Sequence, residues 1–249
     1  MLHHGFTGKV KGWYLWGYVD ALKSKYRLIL VDARGHGASD KPYDPASYAL
    51  PLRVGDVLAV LDALDLDKAH FWGYSMGGWI GFGMAKYAQQ RVHSLTIGGA
   101  HPYETRLPAS SRLDGSDPDA FLAALFGRLD VTGAAIPPAM REELLKNDFR
   151  ALAVAQQDRP SLEDILPTMA MPCCLYASDA DPLYPKAREC AQRIPRATFF
   201  ALQGLDHGAA FRESRLVLPH VTKFLQGVTE GTNKQPTRSA QPSADPRRG

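Results

Sequence analysis

His70-Phe71-Trp72-Gly73-Tyr74-Ser75-Met76-Gly77-Gly78-Trp79 carries the strongest local structural signal in the chain. The aromatic run from His70 to Trp72 reads as a buried strand, and the small and apolar residues from Gly78 to Ala88 read as a helix. Between them lies Gly-x-Ser-x-Gly, in the strand–turn–helix context that gives this pattern its meaning. A serine at so sharp a turn has a strained backbone, so the residues two before and two after it must have almost no side chain. The geometry lifts Oγ clear of the sheet at a helix N-terminus, where the positive end of the dipole favours a developing anion.

Composition sets the bounds on everything outside this stretch. At 249 residues, 45% apolar and 22% charged, the chain fits one α/β domain with room for an insertion and a sizeable core. No apolar run reaches the roughly 18 residues that span a bilayer, and the N-terminus lacks the pattern of a signal peptide. The net charge of +3 is concentrated at the C-terminal end, where Lys234, Arg238, Arg247 and Arg248 face only Glu230 and Asp245. Neither nucleic acid nor membrane is therefore expected as a partner. Cys173 and Cys174 are neighbours in an expected strand and point to opposite faces, so they are poor disulfide partners. With Cys190 in a helix, three buried thiols fit a reducing, cytoplasmic setting.

Strands and helices alternate on both sides of the serine. Leu2 to Gly8 reads as the tail of a strand entering a glycine loop. Trp13 to Lys25 carries apolar residues on a helical period, Tyr26 to Val31 is a buried strand, and Leu52 to Leu64 is an amphipathic helix. Val92 to Gly99 is the next strand. Such alternation gives βαβ units and a mostly parallel sheet flanked by helices. The alternation stops from Pro102 to Pro167, where Asp119–Arg128 and Pro138–Gln157 read as helices. Strands resume at Cys173–Ala177 and Thr198–Leu202, with helices at Pro185–Arg193 and Ser214–Gln226. The expected organisation is a core of residues 1–101 and 168–226, a helical cap at 102–167, and a disordered tail at 227–249.

A serine hydroxyl is a weak nucleophile at neutral pH. It needs a base within reach, and the base needs an orienting group. His207, just past the last strand, is the best base. The acid is expected after the preceding strand, in Ala177-Ser178-Asp179-Ala180-Asp181-Pro182-Leu183. Strand ends on the carboxyl side of a parallel sheet are where ligands bind, and Ser, Asp, His is the chain order such a sheet uses. Asp206 adjoins the base and cannot easily present its carboxylate to it.

With these residues in hand, the chain resembles the α/β-hydrolase superfamily, from Leu2 to Gln226. The matching parts are His4-Gly5-Phe6, the run Asp32-Ala33-Arg34-Gly35-His36-Gly37-Ala38-Ser39-Asp40, the elbow at Ser75, Asp181-Pro182, and Gly204-x-x-His207. The resemblance implies that Asp181 is the acid in preference to Asp179, because it directly precedes Pro-Leu. It also implies an oxyanion hole made by the backbone N–H groups of Phe6 and Met76. Members normally have two strands before the oxyanion loop and a full strand leading into it. The resemblance therefore implies about 20–30 further residues ahead of Met1.

The nucleophile narrows the reaction. Relatives resembling epoxide hydrolases and haloalkane dehalogenases carry aspartate at the elbow, so Ser75 argues against both. A serine implies acyl transfer to water, with a small-molecule ester of small to medium, largely apolar character as the leading substrate. A lactonase or a carbon–carbon bond hydrolase would use the same triad and need polar groups, for which Arg106, Arg112, Arg128 and Arg141 are candidates. A non-catalytic binding protein would ordinarily have lost a triad member. Trp79, Leu125, Phe126 and Leu183 are pocket candidates, although residues such as Leu125 and Phe126 more often form cap core and Trp79 equally suits packing under the sheet. No cofactor or metal is expected; His3-His4 lacks further ligands nearby.

Overall fold

The computed structural model describes residues 1–109, 112–129 and 138–233, the side chains of 231–233 excepted. Six strands form one all-parallel sheet in the order β2-β1-β3-β4-β5-β6. They are β1 (Leu2–His3), β2 (Leu30–Val31), β3 (Ala69–Tyr74), β4 (Val92–Gly98), β5 (Cys173–Ser178) and β6 (Ala197–Leu202). Both faces are covered, as a parallel sheet requires. Because strand side chains alternate, Phe71, Leu95 and Leu175 enter one apolar layer while Trp72, Tyr74 and Tyr176 enter the other. The first layer packs on α3 (Leu50–Ala63), α4 (Met76–Tyr87) and α8 (Tyr184–Gln192). The second packs on α1 (Val10–Leu15), α2 (Tyr18–Leu22), α9 (His207–Arg212) and α10 (Ser214–Asn233).

Helix α4 is buried from Met76 to Ala85, which explains why the sequence there is apolar on every side. Short β1 lies between β2 and β3 and pairs with both. Its neighbours bond through Leu2 N–H to the Ile29 carbonyl at 2.7 Å and Trp72 N–H to the Met1 carbonyl at 2.9 Å.

Three expected elements outside the insertion differ. The helix expected over Trp13–Lys25 is two short ones, because Gly17 adopts φ 78° between them. The strand expected over Tyr26–Val31 pairs only at Leu30–Val31, since two-residue β1 offers no longer partner. Of the tail expected over 227–249, the residues to Asn233 continue α10, whose apolar stripe runs through Val217, Val221 and Leu225. The rest of that tail lies outside the described residues.

Between β4 and β5 the chain forms α5 (Pro118–Arg128), α6 (Pro138–Leu145) and α7 (Phe149–Ala155). The expected helix over Pro138–Gln157 breaks where Asp148 caps α7, its carboxylate accepting the Ala151 N–H at 2.9 Å. The helices share a small core of Phe121, Leu122, Leu144, Phe149 and Leu152. An antiparallel bridge between Thr105 and Arg159 closes the base of the insertion.

Candidate active site

The elbow is built by glycines that have no space for a methyl group. A Cβ on Gly73 would lie 2.1 Å from the Gly77 carbonyl oxygen, and one on Gly77 would lie 2.2 Å from the His3 carbonyl oxygen. Ser75 itself sits at φ 53°, ψ −110°, a strained backbone for a residue with a side chain. Its N–H is held by the Gly98 carbonyl of β4 at 2.8 Å.

The loop before α1 presses on this elbow; a Cβ on Gly5 would come within 3.3 Å of the Ser75 Cβ. His4 fixes that loop. Its Nε2 accepts the Ala33 N–H at 3.0 Å, so the ring proton is on Nδ1, which donates to the Gly5 carbonyl at 2.7 Å. Burial lowers the pKa of His4 and keeps it neutral, so its 3.8 Å approach to Asp32 is not an ion pair. Asp32 instead accepts the backbone N–H groups of Val10 (2.7 Å) and Ala38 (2.9 Å). Its carboxylate occupies the space a Cβ on Gly37 would need.

Asp181 and His207 come from the ends of neighbouring strands, β5 and β6. Asp181 is 2% exposed; its Oδ2 accepts from His207 Nδ1 at 2.6 Å and its Oδ1 accepts the Leu183 N–H at 2.9 Å. With the proton drawn to Nδ1, the lone pair of His207 is on Nε2. That atom is buried and makes no hydrogen bond among the described residues. Tyr74 Oη donates to the His207 carbonyl at 2.5 Å and seats the residue. The other two aspartates serve the backbone: Asp179 accepts the Gly204 N–H at 2.7 Å, and Asp206 caps α9 at the Ala209 N–H, also at 2.7 Å. Ser75 and His207 line one cavity of about 170 Å³.

A family profile described as alpha/beta hydrolase fold matches residues 1–207. The chain belongs to this family. Among similar proteins, 3-oxoadipate enol-lactonase 1 of Acinetobacter baylyi is 44% identical over 79 residues, 32% of this chain and 29% of that protein. The chain spans 35%, 29% and 25% of the lengths of three such relatives. Two solved structures share the fold at 24% identity. One is a hydrolase from Pseudomonas aeruginosa PA01 (TM-score 0.77, covering 90% of this chain and 88% of that one). The other is the enol-lactonase from Burkholderia xenovorans LB400 (TM-score 0.74, 90% of each chain).

In this alpha/beta hydrolase, Ser75 stands where two cavities meet. The smaller, about 170 Å³, is mostly apolar and takes in Phe126, Met140, Leu144 and Phe211 beside His207. The larger, about 320 Å³, takes in Met76, Trp79 and Leu183. Phe6 and Leu125 line both. Phe126 also packs on the core of the insertion, whereas Leu122 belongs to that core. Asp181 lies behind His207 and lines neither cavity.

Of the four arginines weighed from sequence, Arg106 and Arg128 line the larger cavity, and Arg106 also pairs with Glu104; Arg112 pairs with Asp158 and Arg141 with Asp119. Sequence reasoning missed Arg53, Arg159 and His101, which line it as well. Arg53 had a legible signal, since it occupies the buried stripe of α3 with Leu50, Val54, Val57 and Leu61. Arg159 and His101, in loops, had none. Burial pushes Arg53 down to about 9 and Arg159 down to about 10, each further lowered by a neighbouring arginine. Burial also pushes His101 down to about 4 and leaves its ring neutral. Among the described residues no helix is long and apolar enough to cross a membrane, and no group of three or more His, Cys, Asp or Glu is placed to hold a metal ion. The three cysteines are buried and free.

Proposed function

We propose that this protein is a serine hydrolase that cleaves carboxylic esters of small molecules through an acyl-enzyme on Ser75. His207 Nε2 takes the Ser75 proton as Oγ attacks the ester carbonyl. Asp181 holds the imidazole in the tautomer this needs and stabilises the imidazolium. The tetrahedral oxyanion sits against the N–H groups of Phe6 and Met76, each such donor being worth about 10²–10³ in rate. Collapse breaks the ester C–O bond, and the proton on His207 passes to the departing alkoxide. Water then attacks the acyl-enzyme with His207 again as base, releasing the acid and restoring Ser75.

The observation that carries this reading is the 2.6 Å contact from Asp181 to His207, with His207 and the strained Ser75 on one cavity. The test is a panel of p-nitrophenyl esters of increasing acyl length, assayed with wild-type protein and Ser75→Ala. Turnover that depends on Ser75 is expected, and its absence across the panel removes the reading. A second reading, opening of a cyclic ester, is favoured by the 44% identity to an enol-lactonase over 79 residues. It uses the same triad with an enol as leaving group.

A further inference from the structure

The larger cavity beside Ser75 carries a charge that the hydrolytic machinery does not use. Its lining includes Arg53 and Arg159, which have no carboxylate partner among the described residues, and no aspartate or glutamate; Arg106 lines it too but pairs with Glu104 at 2.6 Å. Elsewhere the arginines find carboxylates: Arg34 with Asp56, Arg91 with Asp62, Arg112 with Asp158, Arg193 with Glu163. Cations in a partly dry cavity repel one another and lose hydration, so Arg53 and Arg159, with no carboxylate between them, call for an anion.

Arg159 is the member best placed to bind one. Its backbone is fixed by reciprocal bonds with Thr105 at 2.8 and 2.9 Å, and its guanidinium lies over the Trp79 ring at 4.8 Å. Its side chain has no carboxylate partner and donates no hydrogen bond among the described residues, so its fork of N–H donors is unspent. Arg53 adds a fixed charge. It donates to the carbonyls of Tyr48 and Ala155, each at 2.8 Å, and to Met76 Sδ at 3.2 Å, again with no carboxylate.

The position of His207 says which part of a substrate meets these arginines. A leaving oxygen must take its proton from His207, so the leaving group lies in the smaller cavity that His207 lines. The acyl part is left to the cavity that contains Met76 and the arginines. At about 320 Å³ this cavity has room for about ten non-hydrogen atoms, taking ~30 Å³ as the share of one water.

We propose that this cavity is an anion subsite, in which Arg159 on its Trp79 platform binds a carboxylate at the far end of the acyl group. The substrates are then half-esters or lactones of dicarboxylic acids. This rests on the reading of Ser75 as nucleophile, and the sequence-based expectation of a largely apolar substrate then holds for the leaving group alone.

Two esters of equal acyl length test it: mono-p-nitrophenyl glutarate, which is anionic, and p-nitrophenyl pentanoate, which is neutral. Wild-type kcat/KM should favour the anionic ester by about tenfold or more, as a charge-assisted hydrogen bond implies. The preference should shrink with added NaCl. In Arg159→Gln the ratio should fall towards one, while Arg159→Lys, keeping the charge without the fork, should lie between. Calorimetric titration of glutarate into Ser75→Ala should show binding that the added Arg159→Gln change removes. A wild-type preference for the neutral ester, equal losses on both esters in Arg159→Gln, or no glutarate binding would overturn the subsite. If neither ester is turned over, the hydrolase reading fails, and the glutarate titration still decides whether the anion site exists.

Discussion

Nδ1 of His207 donates to Oδ2 of Asp181 at 2.6 Å, and both groups are withdrawn from solvent, at 4% and 2% residue exposure. No other aspartate near that turn reaches the ring: Asp179 is spent on the Gly204 N–H and Asp206 on the Ala209 N–H. Asp181→Asn should therefore lower kcat by about 10³–10⁴, because an amide no longer holds the imidazole tautomer. Asp179→Asn should cost far less. Steady-state assays of both variants, checked for folding by thermal melting, decide between them; a larger loss in Asp179→Asn would reassign the acid.

The strain at Ser75 predicts an effect on stability that is separate from chemistry. Glycine adopts φ 53°, ψ −110° without a Cβ penalty, whereas alanine does not. Ser75→Gly should be more stable than Ser75→Ala by about 1 kcal/mol, the usual scale of such strain. Both should be inactive. Denaturant melts of the pair measure the difference, and equal stabilities would mean that the elbow stores no strain.

Acid should destabilise the fold through its buried imidazoles. Burial pushes His3 down to about 3, and His70 and His101 each down to about 4, from 6.5. As pH falls below 6.5 the unfolded chain takes up protons that the folded chain refuses. Stability is thus full above 6.5 and is lost progressively down to about 3–4. His3 alone is worth on the order of 4 kcal/mol over that window. Thermal melts from pH 7 to 4 should show the decline, with a shallower slope in His3→Gln. An unchanged slope would mean that His3 is protonated in the fold.

Leu125 lines both cavities and stands outside the core shared by Phe121, Leu122, Leu144, Phe149 and Leu152. Leu125→Ala should shift the preference among acyl chain lengths towards longer chains while the covalent mechanism stays the same. Comparable kcat/KM losses on every ester, in step with a lower Tm, would mean that Leu125 is only packing.

Much of this arrangement was legible because its signals are local. Gly73, Ser75 and Gly77 specify a turn by sterics alone, and the placing of Asp181 and His207 after successive strands follows from alternation along the chain. What stayed hidden depends on contacts between distant segments. The shortening of the strand at Leu30 depends on its partner across the sheet, and the break at Gly17 on a left-handed glycine that the helical period does not mark. Arg159 reaches the cavity because Thr105 pairs with it from the other end of the insertion, and no short window of sequence contains both. Arg53 was the exception, an arginine on a buried helical stripe whose position alone marked it.

In the proposed mechanism the covalent intermediate forms on Ser75. Reaction with diisopropyl fluorophosphate, followed by peptide mass spectrometry, tests it most directly. One adduct per chain is expected, on the peptide that contains Ser75, with loss of ester hydrolysis in step with labelling. No adduct is expected in Ser75→Ala. An adduct at another residue, or full ester hydrolysis by a purified, folded Ser75→Ala protein, would contradict it.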